Sequence, residues 1–166
     1  MLILLLGVII GAVSVYAVNY IVKNVTLMFN YKPEYAKIEI LNDTISLGEI
    51  HAGQTVEYLL YMKRVAILKV YADKVKVVIS ANTTGLESFE IDLDFTLSMT
   101  KRLAYSESVT LTEKEHTKTI TLKCTDTAKS GKDYANFEII IRNLKAKAKY
   151  DVKEAYIKLT IKVIPA

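Results

Sequence analysis

From Val25 onward the chain alternates between apolar and polar positions. Val25, Leu27, Phe29 and Tyr31 stand against Thr26, Met28 and Asn30, the period-two pattern of a strand with one buried face. Val75, Val77 and Ile79 repeat it between Lys74 and Ser80. The cleanest stretch places Phe89, Ile91, Leu93, Phe95, Leu97 and Met99 against Glu90, Asp92, Asp94, Thr96 and Ser98. Ile38 with Ile40, Thr44–Leu47, Val56–Met62, Val109–Leu111, Thr119–Cys124 and Phe137 with Ile139 and Ile141 mark further strands. Val65–Val70 either continues its predecessor or forms a short strand of its own. The last strand runs Ala155–Ile164, with Ile157, Leu159, Ile161 and Val163 inward, and Pro165 ends it. Turn residues punctuate the series: Lys32-Pro33-Glu34, Asn42-Asp43, Gly48 to Gln54, Asn82-Thr83-Thr84-Gly85 and the polar run Thr125–Asp133. The only helical expectation past residue 24 is a short turn within Asn143–Glu154. About nine or ten regularly spaced strands predict an all-β fold, an antiparallel β-sandwich of jelly-roll or immunoglobulin-like type.

The first 22 residues break this pattern. Met1–Val22 carries no charge, and Lys23 is the first charged side chain. Leu2–Ile10 is almost wholly aliphatic, and Gly11–Ala17 is smaller. Three readings follow. A cleaved signal peptide would end after Ala17, although no Lys or Arg precedes its apolar run. A retained helix would anchor the chain or lie in a filament core, and Leu2–Val22 just reaches the roughly 20 residues that span a bilayer. A buried helix of the domain itself is the third. The chain divides accordingly into residues 1–17, a signal peptide or the start of a hydrophobic helix, residues 18–31, an N-terminal strand, and residues 32–166, the sandwich domain. The first two readings place the domain outside the cell, at its surface.

Charge and composition narrow the chemistry. The net charge of +4 comes from 22 basic and 18 acidic residues scattered along the chain, the signature of solvated strand faces and not of a nucleic-acid stripe. The nearest basic cluster, Lys145-Ala146-Lys147-Ala148-Lys149-Tyr150, reads as a loop or strand edge. The single cysteine, Cys124, cannot form an internal disulfide and shares its strand parity with Leu122, as a small buried hydrophobe would. One Gln, no Trp and abundant Lys, Glu, Ile and Val follow a hyperthermophile tendency and point to a heat-loving archaeon. The two histidines, His51 and His116, lie beside no nucleophile motif, and no Walker A, G-x-G-x-x-G, G-x-S-x-G or H-E-x-x-H sequence occurs. The expectation is a protein without catalytic residues or cofactor. Glu90, Asp92 and Asp94 form an acidic row that Ca²⁺ could use only with loop partners such as Asp126 or Asp133, and they read first as a solvated face. Three N-x-[ST] sequons begin at Asn24, Asn42 and Asn82, the last two in expected turns where a glycan fits.

The order of elements carries a resemblance. An apolar leader precedes a strand (Val18 to Tyr31), then a strand ending in Thr44-Ile45-Ser46-Leu47-Gly48-Glu49-Ile50-His51-Ala52-Gly53-Gln54-Thr55-Val56. That turn resembles the LG-x-[IVL]-x-P-G turn of surface immunoglobulin-like modules and of the TasA/camelysin family of biofilm-fibre subunits, with the related archaeal bundling pilins. Ala52 stands where the turn often has Pro. The closing strand Tyr156–Val163 also fits. The resemblance implies a structural subunit of an extracellular filament that polymerises with copies of itself, head to tail, by donor-strand complementation. Residues 18–31 would fill a neighbour's groove, with Val25, Leu27, Phe29 and Tyr31 as knobs, and neighbouring filaments or cell-surface components would be further partners. Two alternatives stay open. The segment Leu2–Val18 is similar to the filament-core helix of archaeal type IV pilins, though no basic leader with a processing site is visible. A membrane-anchored immunoglobulin-like binding module is the other.

Overall fold

The structure, a computed structural model, describes residues 20–51, 53–98, 106–125, 129, 132–150 and 154–166. Ten strands occupy most of them. In chain order they are β1 (Tyr20–Asn30), β2 (Ala36–Ile40), β3 (Thr44–His51), β4 (Thr55–Val70), β5 (Lys74–Thr84), β6 (Leu86–Leu97), β7 (Ser106–Thr112), β8 (Thr117–Lys123), β9 (Ala135–Ala148) and β10 (Glu154–Pro165). They form two five-stranded sheets, ordered β3-β1-β10-β5-β8 and β2-β4-β9-β6-β7. The expected all-β sandwich is the observed fold. The first expected strand stops at Asn30, one residue short of Tyr31, and its first two residues, 18 and 19, lie outside the described residues.

Period-two patterning builds the core. β10 alternates buried Ala155, Ile157, Leu159, Ile161 and Val163 with outward Tyr156, Lys158 and Lys162. They share one buried core with the inward residues of β4, β6 and β9, in which Phe95 and Phe137 are the largest fully buried side chains among the described residues. Each such aliphatic or aromatic side chain contributes about 1.5–3 kcal/mol by leaving water. Pairing is antiparallel throughout the described ladders except between β1 and β10, which run parallel.

Successive strands mostly change sheets. Only β6 and β7 follow one another within a sheet as a hairpin. Two of the crossings turn on glycines with positive φ, Gly53 (73°) and Gly85 (70°). A side chain at Gly85 would collide with the Glu154 carbonyl and press on Ala155. Backbone that close to backbone leaves room for hydrogen alone.

Several expectations are corrected. Residues 143–148 form the end of β9, a strand in the middle of its sheet, so the short helical turn is absent there. The Lys145–Lys149 run is accordingly not an edge or a loop up to Ala148. Ala146 and Ala148 point inward, and Lys145 and Lys147 point to carboxylates outside. Val65–Val70 continues β4, whose ladder with β9 shifts register between Leu59 and Lys63 and again before Ala66. The strand β3 absorbs Gly48 to His51, which shortens the expected glycine turn to its last residues. β1 is an internal strand of its sheet, between β3 and β10. Residues 1–19, the hydrophobic segment and the Ala17 cleavage position lie outside the described residues. Among the described residues no helix is long and apolar enough to cross a membrane.

Candidate functional site

The arrangement that bears on assembly is the place β1 occupies. It lies between β3, to which it is antiparallel, and β10, to which it is parallel. The β10 ladder runs without interruption from Val22 opposite Glu154 to Asn30 opposite Lys162. The β3 ladder pairs Tyr20 with His51 and Thr26 with Thr44, and shifts register between Val22 and Asn24. Without β1, the facing backbone edges of β3 and β10 would lose their hydrogen-bond partners, and an apolar floor would open beneath them. Such a slot is a template for an extended strand, since main-chain bonds supply affinity and alternate side chains fill pockets.

The knobs are not equivalent. Val25 (1% exposed) and Leu27 (4%) are buried against the β10 rows of Ile157 and Leu159. Phe29 is partly buried and packs on the same core. Tyr31 is 39% exposed and lies past the end of β1, which corrects its place in the strand. The ladder ends at Asn30, and Lys32-Pro33-Glu34 turns the chain out of the sheet. In that turn the Tyr35 and Ala36 main-chain N–H groups both donate to the Lys32 carbonyl, at 3.0 and 3.1 Å. Where the chain leaves, Asn30, Tyr31, Val163 and Pro165 help to wall an apolar cleft of about 170 Å³.

The acidic row is spent on internal bonds. Ser108 Oγ donates to Asp94 Oδ1 at 2.7 Å and Thr110 Oγ1 to Asp92 Oδ1 at 2.6 Å, both from β7. Asp94 Oδ2 is 3.5 Å from Arg142, and Glu90 Oε1 is 3.8 Å from Lys145 Nζ. Lys145 also reaches Glu57 at 3.3 Å. The hydrogen bond and charge of Glu57, with Glu90 behind it, hold the Lys145 ammonium above its ordinary pKa, as Glu87 does for Lys147. Asp94 is buried at 6% exposure, not solvated as its alternation implied. Ile140 faces it across the ladder from β9. The Ca²⁺ candidates are therefore not converged on a common point, and no group of three metal-binding side chains exists among the described residues. Asp126 lies outside those residues, and Asp133 is exposed.

The sequons fall in three settings. Asn82 is exposed but belongs to β5, opposite Lys158, so it does not lie in the expected loop. Asn42 does lie between strands, yet its Nδ2 donates to the Arg64 carbonyl at 3.2 Å. Asn24 is inside β1, paired with Tyr156 on one side and Ser46 on the other. His51 ends β3, and His116 is exposed, its carbonyl accepting from Ala81 N–H at 2.8 Å. Cys124 is buried, as its parity predicts, and burial pushes its thiol up to about 11, with Lys129 opposing and Asp73 adding. The parallel pairing of β1 with the last strand and the five-residue link from β1 to β2 carry no marker in the sequence pattern. Only the turn signal at Pro33 hinted at the link.

No protein-family model and no curated protein matches this chain.

Proposed function

We propose that this protein is a structural subunit of an extracellular filament, joined to its neighbours when the N-terminal strand of one copy fills the slot of another. One observation carries the reading. The N-terminal strand fills the gap between two strands of its own sheet and is tied to the rest of the domain through a link of only residues 31–35. A strand placed this way can be exchanged with an identical strand, because the slot it leaves at home is the slot that the neighbour offers. The apolar residues that precede β1 support export, and the lack of any recognised catalytic motif leaves binding or building as the work of the fold.

The test is removal of residues 18–31. The truncated chain should form no polymers and should be less stable than the full chain. Adding a synthetic peptide of residues 18–31 should restore stability in a saturable way. Normal filaments from the truncated chain would refute strand exchange.

A further inference from the structure

Strand exchange says what fills the slot, and the link at residues 31–35 says which way it points. β1 leaves its slot at Asn30, opposite Lys162, and β2 starts at Ala36, opposite Val70. Both positions belong to one end of the sandwich. Five linking residues reach at most about 20 Å when extended, whereas the nine rungs between β1 and β10 span about 30 Å. A donor that kept its present direction, parallel to β10, would thus bring the Ala36 end of its own domain against the Lys162 end of its neighbour. Donating and accepting would use the same end of every copy. Two copies exchanging in that way satisfy one another and close into a dimer, with no free head or tail.

The slot does not enforce that direction. β1 is antiparallel to β3 and parallel to β10, so β3 and β10 are antiparallel to each other. A strand entering the other way would be parallel to β3 and antiparallel to β10. The longer of the two ladders, the one with β10, would then have the slightly more stable antiparallel pattern. Turning the strand about the Leu27–Leu159 rung keeps its inward face inward. Val25 would lie opposite Ile161, and Phe29 opposite Ile157, so the three knobs use the same three rungs of β10.

We propose, resting on the strand-exchange reading above, that the donor strand enters the neighbouring copy reversed, antiparallel to its β10. The donor's Ala36 end then meets the acceptor's Glu154 end. One end of each copy donates and the opposite end accepts, which is the head-to-tail contact that does not close.

Paired cysteines in the full chain report the direction, because Asn30, Tyr156 and Lys162 are all exposed and the native Cys124 is buried. Reversed entry places Asn30 of the donor opposite Tyr156 of the acceptor, at a Cα separation of roughly 4.5–5.5 Å that a disulfide can bridge. Within one chain the same two positions are six rungs apart, about 20 Å, and cannot be bridged. Oxidising assembled N30C/Y156C should give a ladder of covalent multimers on a non-reducing denaturing gel. N30C/E154C and N30C/K158C cover a slip of two residues in the same direction, and a ladder from either also supports reversal. N30C/K162C oxidised before assembly should lock β1 at home and prevent filaments. Multimers from N30C/K162C oxidised after assembly, with none from the other three, would overturn the reversal and leave strand exchange standing. Filaments from locked N30C/K162C would overturn strand exchange itself, and the reversal with it.

Discussion

At the scale of single residues, two positions make sharp predictions. Gly85 combines a φ of 70° with backbone where a Cβ would go. Gly85→Ala should therefore cost more than the roughly 1 kcal/mol of a merely unfavourable backbone, read as a fall in urea midpoint at unchanged slope. Cys124 makes its prediction through pH. Its folded-state pKa of about 11 is above the ordinary thiol value of 9.0, so between the two the folded form holds a proton that the unfolded form has released. Stability is whole below the unfolded pKa and is lost as pH rises towards 11, with a total of about 2–3 kcal/mol. Urea titrations of the wild type and Cys124→Ala at pH 8 and pH 11 should diverge by that amount in their pH dependence. Parallel pH profiles would show the thiol to be titrating normally. The role of Cys124 as a small buried hydrophobe was legible from parity with Leu122. The burial of Asp94 was not, because alternation places it outside and says nothing of Ile140, Ser108 and Arg142 closing over it.

At the scale of elements, β1 separates what alternation can show from what it cannot. Val25, Leu27, Phe29 and Tyr31 look alike in the sequence, but the ladder ends at Asn30 and leaves the fourth outside. Leu27→Ala should cost about 2–5 kcal/mol by leaving a cavity beneath the sheet, whereas Tyr31→Ala should change stability by no more than about 0.5 kcal/mol. Chemical denaturation of the two variants side by side checks the contrast, and equal losses would mean that the strand runs on past Asn30. Strand existence was readable nearly everywhere, since period two survives wherever one face meets a core. Alternating Lys and Ala in residues 145–149 was misread because small apolar residues signal burial weakly. Asn82 was misread because Asn and Thr belong to turns by composition, yet suit the exposed face of a strand equally well.

At the scale of the whole molecule, the sandwich was legible and its wiring was not. Alternation marks which face of a strand is buried, but carries no record of which strand lies beside it. Nearly every connection crosses between sheets, so most pairings join distant parts of the chain. Loop-closure entropy then makes folding slow, with refolding expected in milliseconds to seconds by stopped-flow fluorescence of the tyrosines. A submillisecond single phase would contradict that. The longest of these pairings, Val22 with Glu154 through Asn30 with Lys162, joins the first described strand to the last. A chain made from its N-terminus presents β1 long before β10. Throughout that interval β1 can pair with β3 alone, and the edge it turns towards β10 has no partner. On the strand-exchange proposal, that unfinished edge is where a neighbour would be met, so the late arrival of one strand would set how long each copy stays receptive.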